Sequence, residues 1–268
     1  MKAHSLAWWR AWCERLWRQN ESRWLGRTGQ DHAYRRRVVV PALREALQDD
    51  AGSTLVDLGC GDGAMTALLL RALGRRRPDF ILLVDRSATQ LMRAEERVRP
   101  FVSDVGCVYG DVARLPLRGT VENDRRAWIS VFALQELPRL APVFARLRRV
   151  MRTSERLHAV VVAPSFAERL RRTRRAFVAG LGGARDDFRL AMRYPIADGA
   201  DGAFFLPHFQ RTVADYRCLA RLHGLRLVHW RALTVPRTRG TERVFLPTVY
   251  GEDILTYPSS LLLTFERR

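Results

Sequence analysis

Between residues 53 and 164 the chain alternates short runs that are apolar at nearly every position with longer stretches that are apolar only every third or fourth residue. The runs are STLVDLG (53–59), FILLVD (80–85), GCVYGD (106–111), AWISVFAL (127–134) and LHAVVVAP (157–164). Their near-continuous apolar character predicts strands buried on both faces. The stretches 63–74, 88–99 and 139–151 show helical spacing, as in Leu140, Val143, Phe144, Leu147 and Val150. Strands alternating with helices predict a parallel sheet with helices on both faces. After Pro164 the regularity lapses. ERLRRTRRAFVAGL (168–181) reads as a basic helix, and a Gly- and Asp-rich stretch follows it. Residues 165–211 are therefore expected to form an insertion over a sheet edge, covering the active site. TVADYRCLARLHGL (212–225) reads as a helix stopped by Gly224. LRLVHWRAL (225–233) and SSLLLTFERR (259–268) read as two last strands joined by a long Pro-containing connection.

Ahead of the first strand, residues 1–50 are expected to be a helical segment covering the site, with the core domain running from 51 to 268. Trp8, Trp12 and Leu16 recur every fourth residue and so share one helical face. That face either docks on the core or walls a ligand pocket. Arg10, Glu14 and Arg15 interrupt any signal-peptide core, and no run approaches the ~18 apolar residues of a membrane span. Cys13, Cys60, Cys107 and Cys218 form no CxxC pair, which argues against structural zinc or a disulfide framework. A soluble, cytoplasmic protein without a membrane partner is expected. The net charge of +18 invites a nucleic-acid partner, but Lys2 is the only lysine and the arginines are spread through every segment. Diffuse charge is a weak nucleic-acid footprint, so that partner is disfavoured. No His/Asp/Glu spacing argues for a metal.

The chemistry gathers at strand ends. VDLGCGDG joins a strand to a helix through Gly59, Gly61 and Gly63, a turn that lets backbone approach a ligand beside a helix N-terminus. Asp85 ends the second strand where an acid can hold ribose hydroxyls, and Asp111 ends the third. Either aspartate could equally be a helix cap.

VDLGCGDG, LVDRS, GDVARLPL and VFALQELP, in that order, resemble the class I S-adenosylmethionine-dependent methyltransferases of small-molecule type. The resemblance covers residues 53–163 well and the remainder loosely. It implies an α/β, Rossmann-like seven-stranded sheet with a C-terminal antiparallel hairpin, and S-adenosyl-L-methionine as cofactor. It further implies that Asp57, Gly59, Cys60, Gly61 and Gly63 hold the methionine portion. Asp85 and Arg86 would then lie at the ribose, Asp111 and Val112 at the adenine, and Phe132 beside the cofactor. NDRRAW departs from the family's usual acidic start of the fourth strand, and MRTSERL lacks the Gly-rich turn common before the fifth.

The end of the fourth strand should face the donor methyl. ALQELP there differs from the Asn/Asp-Pro-Pro-aromatic turn of base-amine methyltransferases, so the resemblance points to a small-molecule acceptor with an O, N or C nucleophile. RNA or protein, or a cofactor-binding module without catalysis, are the alternatives. Gln135 and Glu136 either line the active site or brace a loop and cap the next helix. His208 is the candidate general base, and Arg211 close after it a candidate substrate ligand. Tyr34 is expected over the substrate or the methionine carboxylate; Asp31 and His32 are weaker candidates.

Overall fold

The computed structural model describes residues 4–26, 33–48, 53–114, 126–182, 187–197, 203–237 and 239–268; Asp31 and His32 lie outside them. Five parallel strands, β1 (Thr54–Leu58), β2 (Phe80–Asp85), β3 (Asp104–Tyr109), β4 (Arg126–Val131) and β5 (Arg156–Val162), carry the predicted runs with end shifts of at most three residues and none at β2. The sheet is completed by β9 (Leu225–Leu233) and β10 (Ser260–Arg267) in the order β3-β2-β1-β4-β5-β10-β9. β10 runs antiparallel to both β5 and β9, which gives the expected C-terminal hairpin. All of β1 is buried and β4 nearly so, as both-face coverage requires.

Helices α3 (Ala64–Leu73), α4 (Ala88–Val98) and α5 (Ala141–Val150) connect the strands. Their starts are chemically marked. The Ser87 side chain accepts from Gln90 N at the head of α4, and Pro142 opens α5. A capping box between Thr212 and Asp215 starts α7 (Val213–Leu222). Before the sheet, α1 (Leu6–Gly26) is followed by a wide turn Arg35–Val39 that runs into α2 (Val40–Ala46).

The two sequence departures meet at the base of β4. Glu155, fully buried, accepts from Arg126 Nε at 2.8 Å, Trp128 Nε1 at 2.9 Å and Arg152 N at 3.0 Å. A basic start of β4 is thus matched by an acid ahead of β5.

Residues 168–181 correct the sequence reading. The basic helix, α6 (Pro164–Arg172), stops at Thr173, and Arg174 takes a left-handed φ of +57°. Phe177–Leu181 is then a strand, β6, that pairs with β7 (Leu190–Ala197), itself paired with β8 (Ala203–Gln210). This separate three-stranded antiparallel sheet went unread because β6 is short and holds a glycine, while β7 and β8 each hold a proline. The connection after β9 likewise contains two short helices, α8 (Arg239–Phe245) and α9 (Asp253–Thr256).

α1 packs on β8. Its buried face is Trp9, Trp12, Cys13 and Leu16, which cluster with Phe188, Ala191 and Phe209, while Trp8 lies at the margin. Edge-to-face contacts of Trp9 with Phe188 and Phe209, at 5.4 and 5.7 Å between centroids, fix this end.

Candidate active site

In the strand order, the reversal of direction falls between β1 and β4, where α/β sheets place their ligands. The loop leaving β1 holds Gly59, Gly61 and Gly63 at φ of +74°, +56° and +72°. Gly59 N and Cys60 N both donate to Val84 O, tying the loop to β2. A Cβ on Gly59 would stand 2.4 Å from the Ala133 Cβ, and one on Gly63 2.7 Å from the Ala94 Cα. The loop is therefore wedged between the end of β4 and α4, and its path excludes side chains there.

Under the loop, Asp57 is buried and its carboxylate accepts from Thr66 Oγ1 at 2.5 Å. Its pKa is raised to about 7, mainly by burial; the Thr66 hydrogen bond opposes this, neighbouring Asp85 adds to it, and Arg35 opposes it. Asp85 accepts from Gly61 N and Ser87 N, each at 2.9 Å, and burial raises its pKa. Cys60 is buried, its thiol pushed well up by burial. Asp111 is exposed at the end of β3 and accepts from Ala113 N at 2.9 Å. Val112 begins the single turn that follows, and Arg86 is exposed. Gln90, which sequence reasoning missed, is buried with Oε1 unpartnered, 3.0 Å from where a Cβ on Gly61 would stand.

Beside this loop, across the end of β4, is a cavity of about 70 Å³. Its wall is aromatic: Trp24 from α1, Tyr34, Phe132, Phe166, Tyr194 on β7, and Phe245 with Tyr250. Tyr34 donates to or accepts from Ser259 Oγ at 2.8 Å and Ser260 Oγ at 2.6 Å, which joins the segment before α2 to β10. Phe132 holds a left-handed φ of +59°, unusual for a bulky residue, with its N–H on Val160 O.

Gln135 and Glu136 both line the cavity. Gln135 also braces backbone, since its Oε1 accepts from Val162 N, at the end of β5, at 2.8 Å. Glu136 takes Trp17 Nε1 at 2.9 Å. The backbone N–H groups of Leu140 and Ala141, at the head of α5, go instead to Asp187 at 2.6 and 3.2 Å. Trp17 to Glu136, and Ser87 Oγ to Glu21 at 2.5 Å, latch the second half of α1 over the site. The face of Trp12 and Leu16 therefore docks, together with Trp9, and the cavity wall is furnished instead by Trp24, further along the helix.

His208 and Arg211 stand outside the cavity lining. His208 is buried on β8 opposite Met192, 5.3 Å between ring centroids from Tyr194, and neither ring nitrogen has a partner. Burial, then Arg211, lowers its pKa to about 3. Such an imidazole is a poor proton acceptor at neutral pH. Arg211 is fully enclosed, pairing with Asp187 Oδ1 at 2.6 Å and donating to the carbonyls of Asp187, Phe209 and Leu137. Its guanidinium holds β8, the segment at 187 and the turn after β4 together.

Residues 55–154 match a family described as a methyltransferase domain. No curated protein matches the chain. Among solved structures, an S-adenosylmethionine-dependent methyltransferase from Mesorhizobium loti is 19% identical, with TM-score 0.56, over 85% of this chain and 96% of that one. Geranyl diphosphate C-methyltransferase from Streptomyces coelicolor is 17% identical, with TM-score 0.52, over 85% and 77%. The [4+2]-cyclase SpnF is 18% identical, with TM-score 0.55, over 90% and 83%. These likenesses are of fold.

Proposed function

We propose that the chain, whose residues 55–154 match a methyltransferase-domain family, is a class I S-adenosylmethionine-dependent methyltransferase that methylates an O, N or C nucleophile of a small-molecule metabolite. The observation that carries the reading is the position of the aromatic cavity: it opens across the end of β4, next to the glycine loop and under α1. One cationic residue, Arg35, is among the described residues lining it, which suits a small acceptor better than a polyanion. The Streptomyces coelicolor neighbour's substrate, geranyl diphosphate, is also a small molecule.

The residues at the loop fit the cofactor. Three left-handed glycines leave the loop open beside the first turn of α3, Asp85 keeps unused lone pairs for hydroxyl donors, and Gln90 Oε1 offers an unpaired acceptor. Asp57, Gly59, Cys60, Gly61 and Gly63 would hold its methionine end, Asp85 with Arg86 its ribose, Asp111 with Val112 its adenine, and Phe132 would border the methyl. When bound, the cofactor supplies an electrophilic sulfonium methyl. The chain's part is to hold the acceptor in line with it and to exclude water, which α1 does through its two latches. We place Tyr34 and Gln135 at the acceptor and Glu136 as the latch carboxylate.

Calorimetry with S-adenosylmethionine tests the premise: the wild type should bind, and Asp85→Ala should bind at least tenfold more weakly. No binding by the wild type removes the reading. A second reading, a cofactor-binding chain that transfers no methyl group, draws support from the [4+2]-cyclase that shares the fold. Methyl transfer to any metabolite in an extract decides against it.

A further inference from the structure

The cavity's polar groups are nearly all consumed within the protein. Tyr34 is held by two serines, Tyr250 donates to Pro195 O, Thr248 donates to Phe245 O, and Glu136 receives Trp17. Gln135 and Tyr194 each keep a donor. Gln135 Oε1 is fixed by Val162 N, so its Nε2 has no partner among the described residues. The Tyr194 hydroxyl, on a side chain only 5% exposed, has none either, and it lies within electrostatic reach of the Tyr34 and Tyr250 hydroxyls. An amide and a hydroxyl without a protein partner in the wall of a ligand cavity mark where a ligand's polar atom goes.

A base is missing from the same wall. Glu136 is the one carboxylate among the described lining residues, and it is engaged by Trp17. His208, behind Tyr194, is locked neutral by burial. A site with donors but no base cannot easily deprotonate an aliphatic alcohol. It can hold an oxygen that loses its proton unaided, and Arg35 in the wall favours the anion.

Building on the acceptor-pocket reading above, we infer that the acceptor is a planar molecule with an acidic hydroxyl, a phenol or an enol, whose oxygen is held by Tyr194 and Gln135. The hydroxyl proton leaves to solvent. The oxygen lone pair then forms the O–CH3 bond as the S–CH3 bond breaks, and that bond's electron pair stays on sulfur, giving a neutral thioether.

The probe is 4-nitrophenol, whose anion absorbs separately from the neutral form, with 4-nitroanisole as its counterpart lacking the hydroxyl. In the wild type the acid dissociation constant of bound 4-nitrophenol should rise about tenfold over its value in water, and 4-nitroanisole should bind at least tenfold more weakly. Tyr194→Phe and Gln135→Leu should each lose most of the shift in the bound spectrum while keeping the wild-type circular dichroism. Equal binding of the two probes by the wild type, a comparison that needs no variant, overturns the inference. So does an unshifted bound spectrum. The shift in a protein that never transfers a methyl group leaves this inference standing and sinks the transfer reading; methyl transfer to aliphatic amines without the shift does the reverse.

Discussion

Asp57 should make the protein less stable as pH rises, the opposite of an ordinary ion-paired carboxylate. Its side chain is 2% exposed, with one hydrogen-bond donor, Thr66, against a desolvation cost and the nearby Asp85. The folded-state pKa is about 7, against an ordinary value of 3.8. Below pH ~4 both states hold the proton and nothing is lost. Between pH ~4 and ~7 the unfolded chain has released its proton while the folded one retains it, so unfolding free energy falls with rising pH. Above pH ~7 the loss is complete. A three-unit shift is worth about 4 kcal/mol, or about 10 °C in Tm for a chain of this size. Asp57→Asn removes the titration and keeps an acceptor for Thr66. Urea midpoints or Tm values of the two proteins, measured every half unit from pH 4.5 to 8, should converge at the acid end and separate in favour of the variant towards pH 8. Because each other titrating group is common to both, parallel curves within ~0.5 kcal/mol would mean that Asp57 is not held protonated. A cation bound beside it favours the ionised form, so saturating S-adenosylmethionine should flatten the wild-type slope.

Glu155→Ala strands the buried Arg126 guanidinium and the Trp128 N–H and should cost ~3–5 kcal/mol by urea denaturation. The pair Arg126→Met with Glu155→Leu should recover most of that loss. Gly63→Ala places a Cβ 2.7 Å from the Ala94 backbone at φ +72° and should cost roughly 2–4 kcal/mol. Trp17→Phe removes one latch of α1, and limited proteolysis should then cut within residues 4–26 several-fold faster, at little cost to global stability.

The sequence by itself determined the seven-stranded sheet and the glycine loop, because both are written in local pattern. A strand buried on both faces must be apolar at nearly every position, as 80–84 and 159–162 are, and a turn that excludes Cβ atoms must be glycine, as at 59 and 63. It also put Gln135 and Glu136 at the pocket, since strand ends on one edge of a parallel sheet converge, while Tyr34 came from the family resemblance alone. Tertiary structure decided what depends on partners remote in the chain. Asp187, not Glu136, meets the head of α5, because Arg211 draws residues 187 and 137 together. Strands β6 to β8 exist by pairing with each other under α1, and no one of them carries enough pattern to be read alone. That same sheet brings Tyr194 to the cavity and buries His208 behind it. Whether a polar side chain is left with or without a partner is fixed by what packs around it, and composition and spacing do not record that.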